Sequence, residues 1–218
     1  MSRPHQSLRT AMQCMWTLEN EFGHLNSTLT GRPIDAKGRP IPWYTYPAIE
    51  YIENLDFSSC SILEWGCGNS TLFWAPRAKE VLSIESDETW ATEIKKQAPN
   101  NSQIFVRHSE EEYIKNPFDG KKYNLIVIDG KYRSSCANSA LEFLESGGLI
   151  ILDNSDRSPK TAKKLREFGL LQVDMSGFGP INYYTWTTSF FFSGKFRIPR
   201  KNPDLPPAPI GGLKENDD

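Results

Sequence analysis

This sequence lacks the usual marks of a disulfide- or cysteine-metal-built protein. Its 218 residues include four cysteines, Cys14, Cys60, Cys67 and Cys136, with no CxxC pair and no metal-ligand spacing. Cys60 and Cys67 adjoin apolar segments, where cysteine serves as a small buried hydrophobe. An excess of charge of one sign is missing too. A formal net charge of -2 gives no pull toward nucleic acid or an anionic membrane. No apolar run reaches the length of a membrane span, and the polar start of the chain has no secretory pattern. The expectation is therefore a reduced, cytoplasmic chain. Repeats are absent as well. What is present, 38% hydrophobic and 24% charged residues, supports a packed core, and the length suits one α/β domain with short accessory segments.

Residues 1–47 read as an N-terminal helix and an aromatic, proline-rich loop. Leu8, Met12, Met15 and Trp16 or Leu18 recur at roughly helical spacing, and Gly23 and Asn26 are expected to end the run. Between Gly31 and Pro47 the prolines forbid a long helix, and Trp43, Tyr44 and Tyr46 need something to cover them. Ala48–Leu55 then reads as a short helix. Residues 48–195 form the main domain, in which strands and helices alternate. Strands are expected at 61–65, 80–85, 103–106, 123–129 and 148–153. Helices are expected at 70–78, 87–98, 110–115 and 135–144. Such alternation gives a mostly parallel sheet with helices on both faces. After a helix at 161–168, the strands 170–175 and 187–192 are too close for a crossover and are expected to pair antiparallel. Residues 196–218, rich in proline and ending in KENDD, read as a flexible, solvated tail.

The run ILEWGCGNS, residues 62–70, carries the first chemical signal. A strand that meets G-x-G and then a helix brings backbone close to a ligand, because glycine has no Cβ to obstruct it. Gly66 and Gly68 do this here, with Asn69 and Ser70 opening the helix. A dinucleotide fingerprint would have a third glycine where Thr71 stands, and a phosphate-cradling loop would have a lysine. Glu64, just before the turn, is awkward for a pyrophosphate and suits a cationic ligand. Glu85 ends the second strand, where an acid can accept both hydroxyls of a ribose.

On these residues, over about 47–195, the sequence resembles the class I S-adenosylmethionine-dependent methyltransferases. EWGCGNST is similar to their first motif and SIESD to their second. The resemblance implies a Rossmann-like doubly wound α/β fold with a seven-stranded, mostly parallel sheet and an antiparallel last strand. It also implies S-adenosyl-L-methionine as cofactor, Glu64 orienting its amino-acid end and Glu85 its ribose. After the third strand the family offers an aspartate to the adenine. Ser109 stands at that position here.

Two more strands end in acids, at Asp129 and at Asp153-Asn154. Ligands of open α/β sheets lie outside the carboxyl ends of the strands, so these side chains are expected to converge. Asp129, Asp153 and Asn154 form an all-oxygen set of the kind magnesium takes. The trio resembles that of the catechol and caffeoyl-coenzyme A O-methyltransferases, which implies Mg2+ assistance. Asp129, Asp153 and Lys131, which follows as a lysine does in the catechol enzyme, are then the candidate catalytic residues. Asp129 touching only cofactor or substrate, Asn154 capping a turn and Lys131 lying in solvent are the ordinary alternatives. Arg133 and Arg157 face either an acidic acceptor or surface partners.

The aromatic residues before and after the core, Trp43, Tyr44, Tyr46, Tyr183, Tyr184 and Trp186, suit a phenolic or sugar acceptor or pack the N-terminal segment. The segment 42–47 is the expected lid. The function expected is O-methylation of a small-molecule or glycan acceptor, with a homodimer as the expected assembly and neither nucleic acid nor membrane as a partner. A non-catalytic cofactor-binding module and an NAD-linked oxidoreductase stand as alternatives.

Overall fold

The computed structural model describes residues 4–204 and 207–213. The strands are β1 (Ser61–Trp65), β2 (Glu80–Glu85), β3 (Ser102–Val106), β4 (Tyr123–Ile128), β5 (Leu144–Leu152), β6 (Leu171–Gly177) and β7 (Trp186–Phe192). They form one seven-stranded sheet in the order β3-β2-β1-β4-β5-β7-β6. The pairs from β3 to β5 are parallel, and β7 runs antiparallel to both β5 and β6. The helices are α1 (Pro4–Asn20), α2 (His24–Thr30), α3 (Tyr46–Glu53), α4 (Asn69–Trp74), α5 (Glu88–Lys95), α6 (Glu110–Tyr113), α7 (Arg133–Phe143) and α8 (Pro159–Glu167). This is the Rossmann-like arrangement that the alternation of the sequence predicts.

Successive residues of a strand face opposite sides of the sheet, and here both sides are covered. Ile62, Leu125, Val127, Leu149 and Ile151 join α3 and α4 in one core through Ile49, Ile52, Phe73 and Trp74. Leu63, Ile126, Ile128, Ile150 and Leu152 join α7 and α8 in the other through Ala137, Ala140 and Leu165. Burial on both faces is why these strands read as continuous apolar runs.

Three readings are corrected. Asn26 does not end the first helix: α1 stops at Asn20, and Asn26 lies inside α2. Gly23 makes the break with φ 75°, where a Cβ would sit 2.4 Å from Ala36 N. Strand β5 begins at Leu144 rather than Gly148, because its register against β4 jumps from Tyr123–Leu144 to Leu125–Leu149. A bulge of this kind extends a strand past its regular ladder. The start of the tail, residues 196–201, is anchored on the domain. Ile198 is buried, Phe196 packs on Phe192 at 4.9 Å, and Lys201 N donates to Asn54 O at 2.9 Å. Two apolar residues anchor the start of a segment whose composition suggests solvation; residues 205–206 and 214–218 lie outside the described residues.

Among the described residues no helix is long and apolar enough to cross a membrane. Helix α1 keeps its predicted apolar stripe in solvent, with Leu8, Met12, Met15 and Trp16 all exposed.

Candidate cofactor and acceptor site

Strand order reverses between β1 and β4, and the ligand crevice of such a sheet opens at that point. The turn after β1 meets the turn after β4 backbone to backbone. Gly66 has φ +99°, and a Cβ on it would lie 3.0 Å from Gly130 N. A Cβ on Gly130 would in turn lie 2.9 Å from Gly66 N. Gly66 thus serves the close approach of two strand ends. Gly68 differs: its backbone is extended, and a Cβ would meet nothing nearer than Trp90 at 3.6 Å. Its missing side chain leaves room in the crevice.

Glu64 lies under the turn, fully buried. Its Oε2 accepts from Thr71 Oγ1 at 2.5 Å and Ser83 Oγ at 2.9 Å. Thr71 Oγ1 accepts from Gly68 N at 3.1 Å, so the carboxylate is tied to the turn through one hydroxyl. Glu64 Oε1 is buried without a donor. Burial pushes the Glu64 carboxyl up to about 7, against the pull of Ser70, Thr71 and Ser83. Glu85 caps the same turn: Oε2 accepts from Cys67 N at 3.1 Å, and Oε1 from Ser86 N at 2.6 Å and Asp87 N at 2.9 Å. Its carboxylate is largely occupied by backbone amides rather than open on both oxygens.

A cavity of about 260 Å³ lies over the turn, lined by Gly68, Asn69, Ser70, Cys67, Trp90 and Asp129 and roofed by residues 31–33 and Trp43. Trp90 Nε1 donates to Cys67 O at 2.6 Å. The roof is fastened on both sides. Asn69 Nδ2 donates to Pro33 O at 2.6 Å, and Arg32 pairs with Glu93 of α5. Ser109 is exposed and outside this lining; its Oγ accepts from Glu112 N at 3.3 Å and caps α6. The residues fit the adenosylmethionine expected there: a glycine leaves space, and an orphaned carboxylate oxygen lies below for a cationic ligand.

A second cavity, about 300 Å³, opens beside the first and is lined by Trp43, Asp129, Asp153, Asn154, Arg157, Asn182, Tyr184 and Trp186. Trp43 and Asp129 belong to both. Asp153 is buried, and its Oδ1 accepts from Thr188 Oγ1 at 2.6 Å and Trp186 Nε1 at 3.0 Å. Burial pushes its carboxyl up to about 6, with those two bonds opposing. Burial, and then neighbouring Asp153, hold Asp129 well above the usual carboxylate range, with Arg133 opposing.

The strand-end trio converges as expected, but its oxygens do not fit a magnesium site. Arg133 Nη2 donates to Asp129 O at 2.9 Å and Oδ1 at 3.1 Å, and Nη1 donates to Asn154 Oδ1 at 3.1 Å. A guanidinium thus spans two of the three intended ligands, and Trp186 and Thr188 engage the third. Among the described residues no group of three or more His, Cys, Asp or Glu could hold a metal. Asn154 has φ 52° and precedes a short 3-10 turn, but its side chain makes no cap bond to that turn, so the capping alternative does not account for it. Lys131 is exposed and does not line the cavity.

The expected lid divides. Trp43 is 43% exposed and walls both cavities. Tyr44 is buried toward Glu64, Asp129 and Asp153, with its hydroxyl unpartnered. Tyr46 starts α3 and packs on Phe22 at 4.5 Å. On the other rim Tyr184 lies 5.2 Å from the Arg157 guanidinium, whereas Tyr183 is in solvent. Ile181 in that loop has φ 72°, costly for a β-branched residue and common where a loop shapes a site. Sequence reasoning missed the roles of Thr71, Ser83 and Thr188. Their common signal, a hydroxyl one residue pair or one turn from a buried acid, appears only once the strands are paired.

No family model matches the sequence, and no curated protein matches it. Solved structures do. A Klebsiella pneumoniae protein assigned as an O-methyltransferase is 16% identical, with a TM-score of 0.55 over 81% of this chain and 89% of that one. A precorrin-6y C5,15-methyltransferase from Geobacter metallireducens is 13% identical (TM-score 0.52, covering 68% and 87%). The Streptomyces achromogenes O-methyltransferase TomG, involved in tomaymycin synthesis and solved with adenosylmethionine, is 13% identical (TM-score 0.51, covering 68% and 78%). With its strand order and lone antiparallel strand, this chain has the Rossmann-like fold of the class I methyltransferases.

Proposed function

We propose that the protein is an adenosylmethionine-dependent O-methyltransferase of a small hydroxylated acceptor, phenolic or sugar-like. The observation that carries this reading is the partition shared by the two cavities. Trp43 and Asp129 wall both the space above the glycine turn and the space between β4, β5 and β7. A direct transfer between two bound molecules requires such adjacency, since reacting atoms must approach to roughly 3–3.5 Å.

Adenosylmethionine supplies an electrophilic methyl group when bound. The chain's own residues do the rest. Gly68, Asn69 and Ser70 hold the cofactor against the turn, with Glu64 beneath to balance its positive charge. Glu85 braces that turn and offers its remaining capacity to the ribose. Trp43, Tyr184 and Trp186 face a flat or sugar ring, whose apolar side they cover. Asp129 and Asp153 hold the acceptor hydroxyl, Asp153 receives its proton as the oxygen takes the methyl group from sulfur, and no step runs through a metal.

Intrinsic fluorescence tests the cofactor assignment directly, because Trp43 and Trp90 line the first cavity. Adenosylhomocysteine should quench it and NADH should not; the reverse result would favour the oxidoreductase alternative. Transfer of labelled methyl from adenosylmethionine to a panel of phenols and sugars then tests turnover. Binding without transfer to any of them would support the non-catalytic alternative.

A further inference from the structure

The strand-end trio has the composition of a metal site and the contents of something else. Arg133 is the first residue of α7, a place where the helix field disfavours a cation. No acid stands in the first turn of that helix to offset it. The compensation comes from outside the helix, through the three bonds to Asp129 and Asn154. Only 23% of the Arg133 side chain is exposed, and it is absent from the lining of the acceptor cavity. It stands behind Asp129 and Asn154, which do line the cavity. A guanidinium stays charged and its donors form a rigid fork, whereas magnesium needs near-octahedral oxygen ligands with room for water or substrate.

We propose that Arg133 is a built-in replacement for a divalent cation: it neutralises and orients Asp129 and Asn154 from behind the acceptor cavity and excludes metal from their oxygens. Arg133 is thus a positioning residue. The inference rests on reading the second cavity as the acceptor site. It makes a prediction that catalysis alone would not: taking the guanidinium away should uncover a metal site. The freed oxygens of Asp129 and Asn154, with Asp153 nearby, would then have no fixed cation opposing a free one.

The test is titration with Mn2+, followed by electron paramagnetic resonance of the unbound ion. It compares the parent protein, Asp129→Asn, Arg133→Met, Arg133→Lys and the double variant Arg133→Met/Asp129→Asn. The parent and Arg133→Lys should show no site that depends on Asp129. Arg133→Met should bind Mn2+ about tenfold more tightly or better, as expected when a unit charge at ion-pair distance is removed. The double variant should lose that gain. Mn2+ binding by the parent that Asp129→Asn abolishes would overturn the proposal. So would a folded Arg133→Met variant, with an unchanged circular dichroism spectrum, that gains no affinity. If Arg133→Met does not fold, the parent with and without Asp129→Asn still decides whether metal is excluded. Adenosylhomocysteine binding by the parent is measured alongside. Its failure would remove the methyltransferase reading and leave the Mn2+ result standing.

Discussion

The two cavities are built in opposite ways. The cofactor floor comes from one short stretch, 64–71, in which a carboxylate, a hydroxyl and the Gly68 amide are linked within eight residues. The acceptor cavity is assembled from separate segments: Trp43 before the sheet, Asp129 after β4, Asp153, Asn154 and Arg157 after β5, Asn182 and Tyr184 before β7, and Trp186 at its start. The first is local in sequence and fixed by backbone geometry. The second depends on the packing of loops that meet only in the folded chain, and loops are where α/β folds vary their chemistry.

The largest difference between local and assembled structure is expected inside the glycine turn itself. Gly66→Ala should destabilise the fold by about 1–3 kcal/mol, the usual cost of forcing an atom into a packed space, as measured by urea unfolding. Gly68→Val should shift stability by no more than about 0.5 kcal/mol yet lose adenosylhomocysteine binding by calorimetry. Equal losses of stability would mean that both glycines serve the fold alone. Next in size is Trp43→Ala, which should lower kcat/KM for a ring-shaped acceptor about tenfold through lost ring contact and also weaken cofactor binding. An effect on only one of the two would break the claim of a shared wall.

Glu64 gives a smaller, pH-dependent effect. Its folded pKa is raised, to about 7 from an ordinary 4.5, so between those values the folded state binds the extra proton. The stability this group contributes is therefore greatest at low pH and falls as pH rises toward 7. Glu64→Gln removes the penalty, so its Tm relative to the parent should rise between about pH 4.5 and pH 7 and then level off. A constant difference would mean that Glu64 titrates normally. Smallest of all, Lys131→Ala should leave turnover unchanged, since the residue is exposed outside the cavity. A large loss would restore it as a base.

The same contrast explains how much was legible in the sequence. Apolar runs at β1, β2, β4 and β5 and the glycine turn announce the sheet and its crevice, because parallel strands and tight turns impose composition locally. The acids at 129 and 153 announce a meeting point for the same reason. What fills that point is not local. Arg133 lies four residues beyond Asp129 and reads equally as a surface ion pair or a substrate contact. Its bond to Asn154 across two strands decides between them. Likewise Tyr44 and Trp43 are neighbours in sequence, yet one is buried under the site and the other walls it.

The Gly66–Gly130 contact carries a mechanical consequence. Two backbones with no side chain between them leave no cushion for sliding, so the β1 and β4 ends behave as a single rigid anvil. Neither end can move toward the other without a main-chain clash, so the floor of the crevice is fixed at this point.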